Sequence, residues 1–193
     1  MNRTSDKQLL RLEISRRLEG YSEEDITRRS SQAVARLINY LESTTLQFSS
    51  IFSFFSMRRE IRTIELHSWA MKNKIPIALP RIIKNSSDMT FHIIDPFDRE
   101  QLERHPFGFY QPKESLMSAQ TESALILVPG MAFNTRHERM GRGGGFYDRL
   151  LSRSDRTALS IGFCFEEQIV TEIPTESHDR LVELVVTQEH IYS

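Results

Sequence analysis

The segment ALILVPG, residues 124–130, is the firmest structural reading in the chain. Five consecutive apolar residues without alternation mark a strand buried on both faces, and Pro129-Gly130 ends it. Such strands belong to mainly parallel sheets covered by helices. Upstream, SSIFSFFS (49–56), IPIAL (75–79, closed by Pro80) and MTFHII (89–94) read as further strands, with a helical pattern at 60–73. The stretch 95–123, with Pro96, Pro106, Gly108 and Pro112, reads as mostly loop. Downstream, FYDRLLSR starts a helix, and ALSIGFCF (158–165) and LVELVV (181–186) are strands. At the N-terminus, Leu9, Leu10, Ile14 and Leu18 stand near helical spacing within 5–19, up to Gly20. Ser22 with Asp25 resembles a capping box opening a second helix through Ala33, Leu37, Ile38 and Leu41. The expected fold is α/β: one three-layer αβα domain over 1–193, Rossmann-like. Its sheet is open and mainly parallel, with a helical segment, 1–46, packed on it.

The 193 residues are 39% hydrophobic and 26% charged, with mean hydropathy −0.41. That balance suits a globular chain able to bury roughly 70% of its unfolded surface without staples. A single cysteine, Cys164, excludes an internal disulfide and suits a reducing compartment. No apolar run approaches the roughly 20 residues of a membrane span, and the charged N-terminus lacks a signal peptide's apolar core. A cytoplasmic location is expected. Net charge −1 and pI about 6.6 provide no global field for nucleic acid or an anionic membrane. Most basic residues are arginine, whose planar fork suits phosphate and carboxylate. The sequence leaves the oligomeric state open, with a monomer favoured.

Open sheets bind ligands beyond the carboxyl ends of their strands, where the chain after residue 128 lies. There Gly141, Gly143, Gly144 and Gly145 crowd five positions before a helix. Glycines let backbone amides approach a ligand, and a helix N-terminus adds orphan N–H groups and partial positive charge. Arg139 and Arg142 flank this cradle. It is neither a Walker A loop nor a dinucleotide fingerprint, since Gly-Lys-Ser/Thr is absent and Phe146 holds the last glycine position. Glycine density alone leaves phosphate binding and a plain flexible turn equally open.

The run Arg139-Met140-Gly141-Arg142-Gly143-Gly144-Gly145-Phe146-Tyr147-Asp148-Arg149, preceded by Val128-Pro129-Gly130-Met131-Ala132-Phe133, resembles the signature of the 5-formyltetrahydrofolate cyclo-ligase family. Lys7 with Leu10-Arg11, the segment Phe54 to Ile61, and more loosely Gly108 to Pro112 resemble further family elements. So do Gly162-Phe163 to Gln168 and His178-Asp179 to Thr187, so the likeness spans nearly the whole chain.

The resemblance implies ATP-driven, Mg²⁺-requiring closure of 5-formyltetrahydrofolate to 5,10-methenyltetrahydrofolate, releasing ADP and phosphate. Transfer of the γ-phosphoryl group to the formyl oxygen would activate the carbon for attack by N10, which needs alignment and charge stabilisation rather than a protein nucleophile. By the same resemblance, Lys7, Arg11 and 139–147 (Arg139, Met140, Gly141, Arg142, Gly143, Gly144, Gly145, Phe146 and Tyr147) would bind ATP. Phe55, Glu60, Arg142, Gly143, Gly144, Gly145 and Phe146 would contact the folate, a carboxylate at 60 accepting adjacent pterin N–H groups. Arg142 and Tyr147 are the catalytic candidates. Asp148 would orient Mg²⁺ or a nearby arginine, or merely complement the helix dipole.

Departures are Gly144 where members often carry lysine, Asn134 for aspartate, His137 for glycine and Glu183 for aspartate. Gly144, Asn134 and His137 keep open another ATP- or phosphate-ligand enzyme on this scaffold; a non-catalytic reduced-folate binder is the second alternative. The six histidines form no metal array, and His178-Asp179, being adjacent, makes a poor relay dyad. Cys164 reads as a buried small hydrophobe, Trp69 as packed on the sheet, and Phe52 and Phe54 as core with Phe55 at a pocket rim.

Overall fold

A computed structural model describes residues 3–84, 86–106, 109–154 and 158–193; Gly108 lies outside the described residues. Two helices open the chain, α1 (Arg3–Glu19) and α2 (Glu23–Ser43). The Ser22–Asp25 capping box forms in both directions, satisfying orphan donors at the start of α2. Then come β1 (Ser50–Phe52), α3 (Ile64–Lys72), β2 (Ile77–Ile82), β3 (Met89–Ile94), β4 (Leu102–Arg104) and β5 (Tyr110–Pro112). The chain continues through β6 (Ala124–Val128), β7 (Ala132–Phe133), β8 (Arg139–Met140) and α4 (Phe146–Arg153), and closes with β9 (Leu159–Phe163), β10 (Leu184–Val186) and β11 (Ile191–Tyr192). Among the described residues no helix is long and apolar enough to cross a membrane.

Seven strands form one sheet in the order β11-β10-β9-β6-β1-β2-β3. The five inner strands run parallel, and β3 and β11 pair antiparallel at the edges. Strand period two divides β6 between two cores. Leu125 and Leu127 face a cluster holding Ile14 of α1, Leu37 of α2 and Leu66 of α3. Ala124, Ile126 and Val128 face a second cluster that α4 covers with Tyr147, Leu150 and Leu151. The result is the three-layer αβα arrangement.

Several boundaries differ from the sequence reading for identifiable reasons. Strand β2 runs through Pro80 instead of stopping there. Ala78 O accepts from Ser53 N on the β1 side, so the missing Pro80 N–H, two residues on, also points to that side, where β1 has ended. Helix α3 starts at Ile64 rather than 60, because 57–60 is a turn with Arg59 at φ 65° and Glu60 N bonded to Met57 O. Within 95–123 lies a hairpin of β4 and β5, and Gln111 binds it to β2 by accepting from Ile82 N at 3.2 Å. The chain after β6 folds into a second hairpin, β7 with β8.

Asn134 explains that second hairpin: its Oδ1 accepts from the amides of Arg136 and Glu138, both at 3.0 Å, and its Nδ2 donates to Glu138. An asparagine here is a turn-former. His137 adopts φ 64°, the left-handed region that favours the glycine it replaces. Glu183 lies just before β10 and accepts from Ser160 N at 2.7 Å.

His67 is buried on α3, 2.7 Å from Ser53 Oγ, and burial lowers its pKa to about 4, so it stays neutral. Trp69 packs against the first cluster and donates to Glu42. Cys164 is buried just past β9, and burial, followed by the charges of Glu166 and Glu167, pushes its thiol pKa well up. The native protein is therefore expected to leave a thiol reagent unreacted and to titrate one equivalent only after denaturation. Rapid native labelling would show that the thiol is open to solvent.

Candidate active site

Beyond the carboxyl ends of β1, β2 and β6 lies a cavity of about 450 Å³. Lys7, Arg11, Phe55, Glu60 and every residue from Arg139 to Asp148 line it. The cavity has two characters. Phe54, Phe55, Pro80, Ile82, Met89 and Phe146 make one wall apolar, while Lys7, Arg11 and the glycine loop make the other polar.

The glycine loop leaves β8 and enters α4. Gly143 and Gly145 have φ 106° and 66°, conformations that side-chain-bearing residues rarely adopt. Gly145 is the N-cap of α4, and the first intrahelical bond there is Arg149 N to Gly145 O. Among the described residues, no protein acceptor takes the amides of 142–148. These are donors without partners, set at a helix N-terminus on residues that line the cavity. Arg11 braces the loop's entry, its Nε donating to Gly141 O at 3.0 Å.

The charged side chains are paired within the protein. Lys7, 11% exposed, lies 2.7 Å from Glu176 and 2.8 Å from Asp179. Burial alone would lower the Lys7 pKa, but the hydrogen bonds to the two carboxylates outweigh it and raise the value. Arg142, 53% exposed, sets Nε and Nη2 on Glu60 Oε1, while Glu60 Oε2 accepts from Met57 N at 2.8 Å. The turn at 57–60 thus presents the carboxylate between the two walls.

Arg139 takes a different part from the expected one. Its side chain is only 3% exposed, and the two terminal nitrogens of the guanidinium go to Asp148 at 2.8 Å and Pro129 O, leaving the buried Nε without a partner among the described residues. A cation buried this deeply needs an adjacent anion, so Arg139 underpins the loop from below instead of offering a free fork to a phosphate. Of the partners open to Asp148, the structure pairs it with this arginine; its other oxygen accepts from Arg180 N at 3.2 Å. Tyr147 has a buried hydroxyl without a partner among the described residues. Burial and then the Glu60 charge raise its pKa, keeping the phenol protonated as a hydrogen-bond donor.

Glu176, His178 and Asp179 also line the cavity, and their ligating atoms lie within 4.8 Å of one another. The sequence singled out only His178-Asp179, as a poor relay dyad. What brings Glu176 and Asp179 to the site is Lys7, about 170 residues away in the chain, and that separation hides the cluster from local reading. Tyr110 and Met57 reach the apolar rim in the same unannounced way.

Comparison with known proteins agrees with this geometry. The 5-formyltetrahydrofolate cyclo-ligase family profile matches residues 3–188. A 5-formyltetrahydrofolate cyclo-ligase of Mus musculus is 27% identical, over 96% of this chain and 95% of its own length. That of Saccharomyces cerevisiae is 29% identical, over 93% and 94%. Among solved structures, the 5,10-methenyltetrahydrofolate synthetase of Aquifex aeolicus superposes with a TM-score of 0.80 at 24% identity, covering 96% of this chain and 91% of that one. At that identity the superposition establishes the fold, and the match along residues 3–188 establishes descent: the chain belongs to the 5-formyltetrahydrofolate cyclo-ligase family.

Proposed function

We propose that this chain converts 5-formyltetrahydrofolate to 5,10-methenyltetrahydrofolate at the expense of ATP. The observation that carries the reading is the run of amides at 142–148, without acceptors among the described residues, on a loop that lines the same cavity as Phe55 and Glu60. A polyanion fits the amide side, where Lys7 and Arg11 add charge. A flat reduced pterin fits the apolar side, with the Glu60 carboxylate matching its adjacent N–H donors.

In this reading the formyl oxygen attacks the γ-phosphorus and ADP leaves. N10 then attacks the activated carbon, the carbon–oxygen bond breaks, and the N10 proton departs with the phosphate. The protein holds the two reactants in line and excludes water, which is most of what phosphoryl transfer asks of it. Loop amides and Lys7 spread the charge that develops on the phosphoryl oxygens. Arg142 spans from the loop to Glu60 and so touches both reactants. Protonated Tyr147 can donate a hydrogen bond but cannot act as a base.

Magnesium fits the donor set at the loop's edge. Asp148 is taken by Arg139, whereas Glu176 and Asp179 supply hard carboxylate oxygens that lie, with His178, within 4.8 Å of one another. Those oxygens would hold the ion, which neutralises phosphate charge when bound with the nucleotide.

The test is an absorbance assay with 5-formyltetrahydrofolate and MgATP. The expected result is ATP-dependent growth of the methenyl near-ultraviolet band with equimolar ADP. Folate binding without that band would mark a sequestering protein. ATP hydrolysis without it would mark another phosphate-ligand enzyme on this scaffold.

A further inference from the structure

Arg149 belongs to the signature segment, yet it does not line the main cavity. Its guanidinium lies outside the loop and grips two backbone carbonyls. Nη2 donates to Gly144 O at 2.7 Å and also to Ser87 O, and Nε donates to Ser87 O at 2.9 Å. Ser87 belongs to the turn between β2 and β3, and the neighbouring Asp88 carboxylate lies 3.4 Å from Nε. The ring of Phe146 covers the group, its centroid 5.3 Å from the guanidinium carbon.

In a trans peptide the carbonyl and the following N–H point in opposite directions. A guanidinium that holds Gly144 O on the outer side therefore turns Gly145 N–H inward, towards the cavity that both glycines line. Helix geometry already aims the amides of Phe146, Tyr147 and Asp148. The glycine peptides, whose dihedrals are the freest in the chain, lack that helical constraint; Arg11 holds the Gly141 carbonyl at the loop's entry, and Arg149 holds that of Gly144. Close approach to Arg149 also fits the absence of a side chain at 145, since a Cβ there would sit 2.7 Å from Nη1. With glycine rather than lysine at 144 and Arg142 held on Glu60, the loop depends on its amides.

We propose that Arg149 is the positioning residue of the phosphate cradle: acting through the Gly144 carbonyl, it aims the Gly145 amide at the nucleotide's phosphates and anchors the loop to the β2–β3 turn. Naming the anion as a nucleotide rests on the cyclo-ligase reading. Arg149→Ala is expected to raise KM and Kd for ATP about tenfold, as loss of one well-aimed charge-assisted contact would, with the folate KM within twofold. Millimolar guanidinium ion should restore part of the loss. Arg149→Lys, which reaches one carbonyl instead of two, should show a smaller, still ATP-selective rise. Asp88→Ala, which leaves both carbonyl bonds in place, should stay within twofold of the parent.

Should Arg149→Ala not fold, the lysine variant and Asp88→Ala carry the test. An equal rise for both substrates, or a lower melting temperature with ATP affinity unchanged, overturns the proposal, because either is what a purely structural residue gives. Calorimetry with ATP alone separates the two readings. A parent chain that binds ATP without forming the methenyl product defeats the cyclo-ligase reading while the Arg149 effect is still measured. A parent chain that does not bind ATP defeats both.

Discussion

Asp148→Ala should lower the melting temperature by roughly 6–20 °C, the largest stability loss expected of any substitution at the site. Arg139 lies beneath the loop with a side chain 3% exposed, and its only carboxylate partner among the described residues is Asp148. Removing that anion leaves a buried guanidinium with one carbonyl, Pro129 O, in a place water does not reach. Breaking one side of a buried pair costs about 3–5 kcal/mol, and each kcal/mol is worth roughly 2–4 °C in a chain of this size. The second half of the expectation separates charge from shape. Arg139→Met combined with Asp148→Leu removes both charges together and should recover most of the loss, because paired apolar replacement is often neutral. A single variant melting within 2 °C of the parent would mean that the guanidinium finds solvent. Arg139 would then be free to turn towards the phosphate side.

The same pair shows where sequence reading runs out. Arg139 and Arg142 stand three residues apart and look alike in the sequence, both flanking a glycine cluster. Strand β8 buries the first, whereas the loop that follows exposes the second. Side-chain direction on a two-residue strand is settled by its partner β7, and nothing in local composition announces that pairing. The apolar strands were legible because burial on both faces leaves an uninterrupted hydrophobic run, as in Ala124 to Val128. Pro80 misled because a proline rule about hydrogen-bond donors depends on which side is paired, and that is a property of the sheet. Short elements such as β4 and β5 carry too few residues for periodicity to register. Lys7 was legible only through family likeness; its two acidic partners came from the fold.

Lys7→Ala should raise the ATP KM by roughly 30- to 150-fold, the largest functional effect expected, while the folate KM stays within twofold. A charge-assisted contact to phosphate contributes about 2–3 kcal/mol, and every 1.4 kcal/mol is a factor of ten. The loss is compounded because Glu176 and Asp179 would then face the triphosphate without the cation that now lies between them. The pH dependence has a definite sign. Hydrogen bonds to the carboxylates raise Lys7 above its ordinary 10.5, outweighing burial, so its contribution is complete below 10.5 and is lost only as pH climbs through the raised value. For Asp179, burial pushes upward, but the Lys7 hydrogen bond and the Glu176 amide prevail and hold it below 3.8; for Glu176 the Lys7 bond holds it below 4.5. Those contributions are complete above 4.5 and are lost as pH falls through the lowered values. Between about pH 5 and 10 the three groups therefore keep their charges, and the variant-to-parent ratio of ATP KM should be the same at pH 6 and pH 9. A ratio that shrinks towards one at pH 9 would show the ammonium losing its proton, contrary to its pairing with two carboxylates. A ratio below threefold at both pH values would remove Lys7 from the phosphate site altogether.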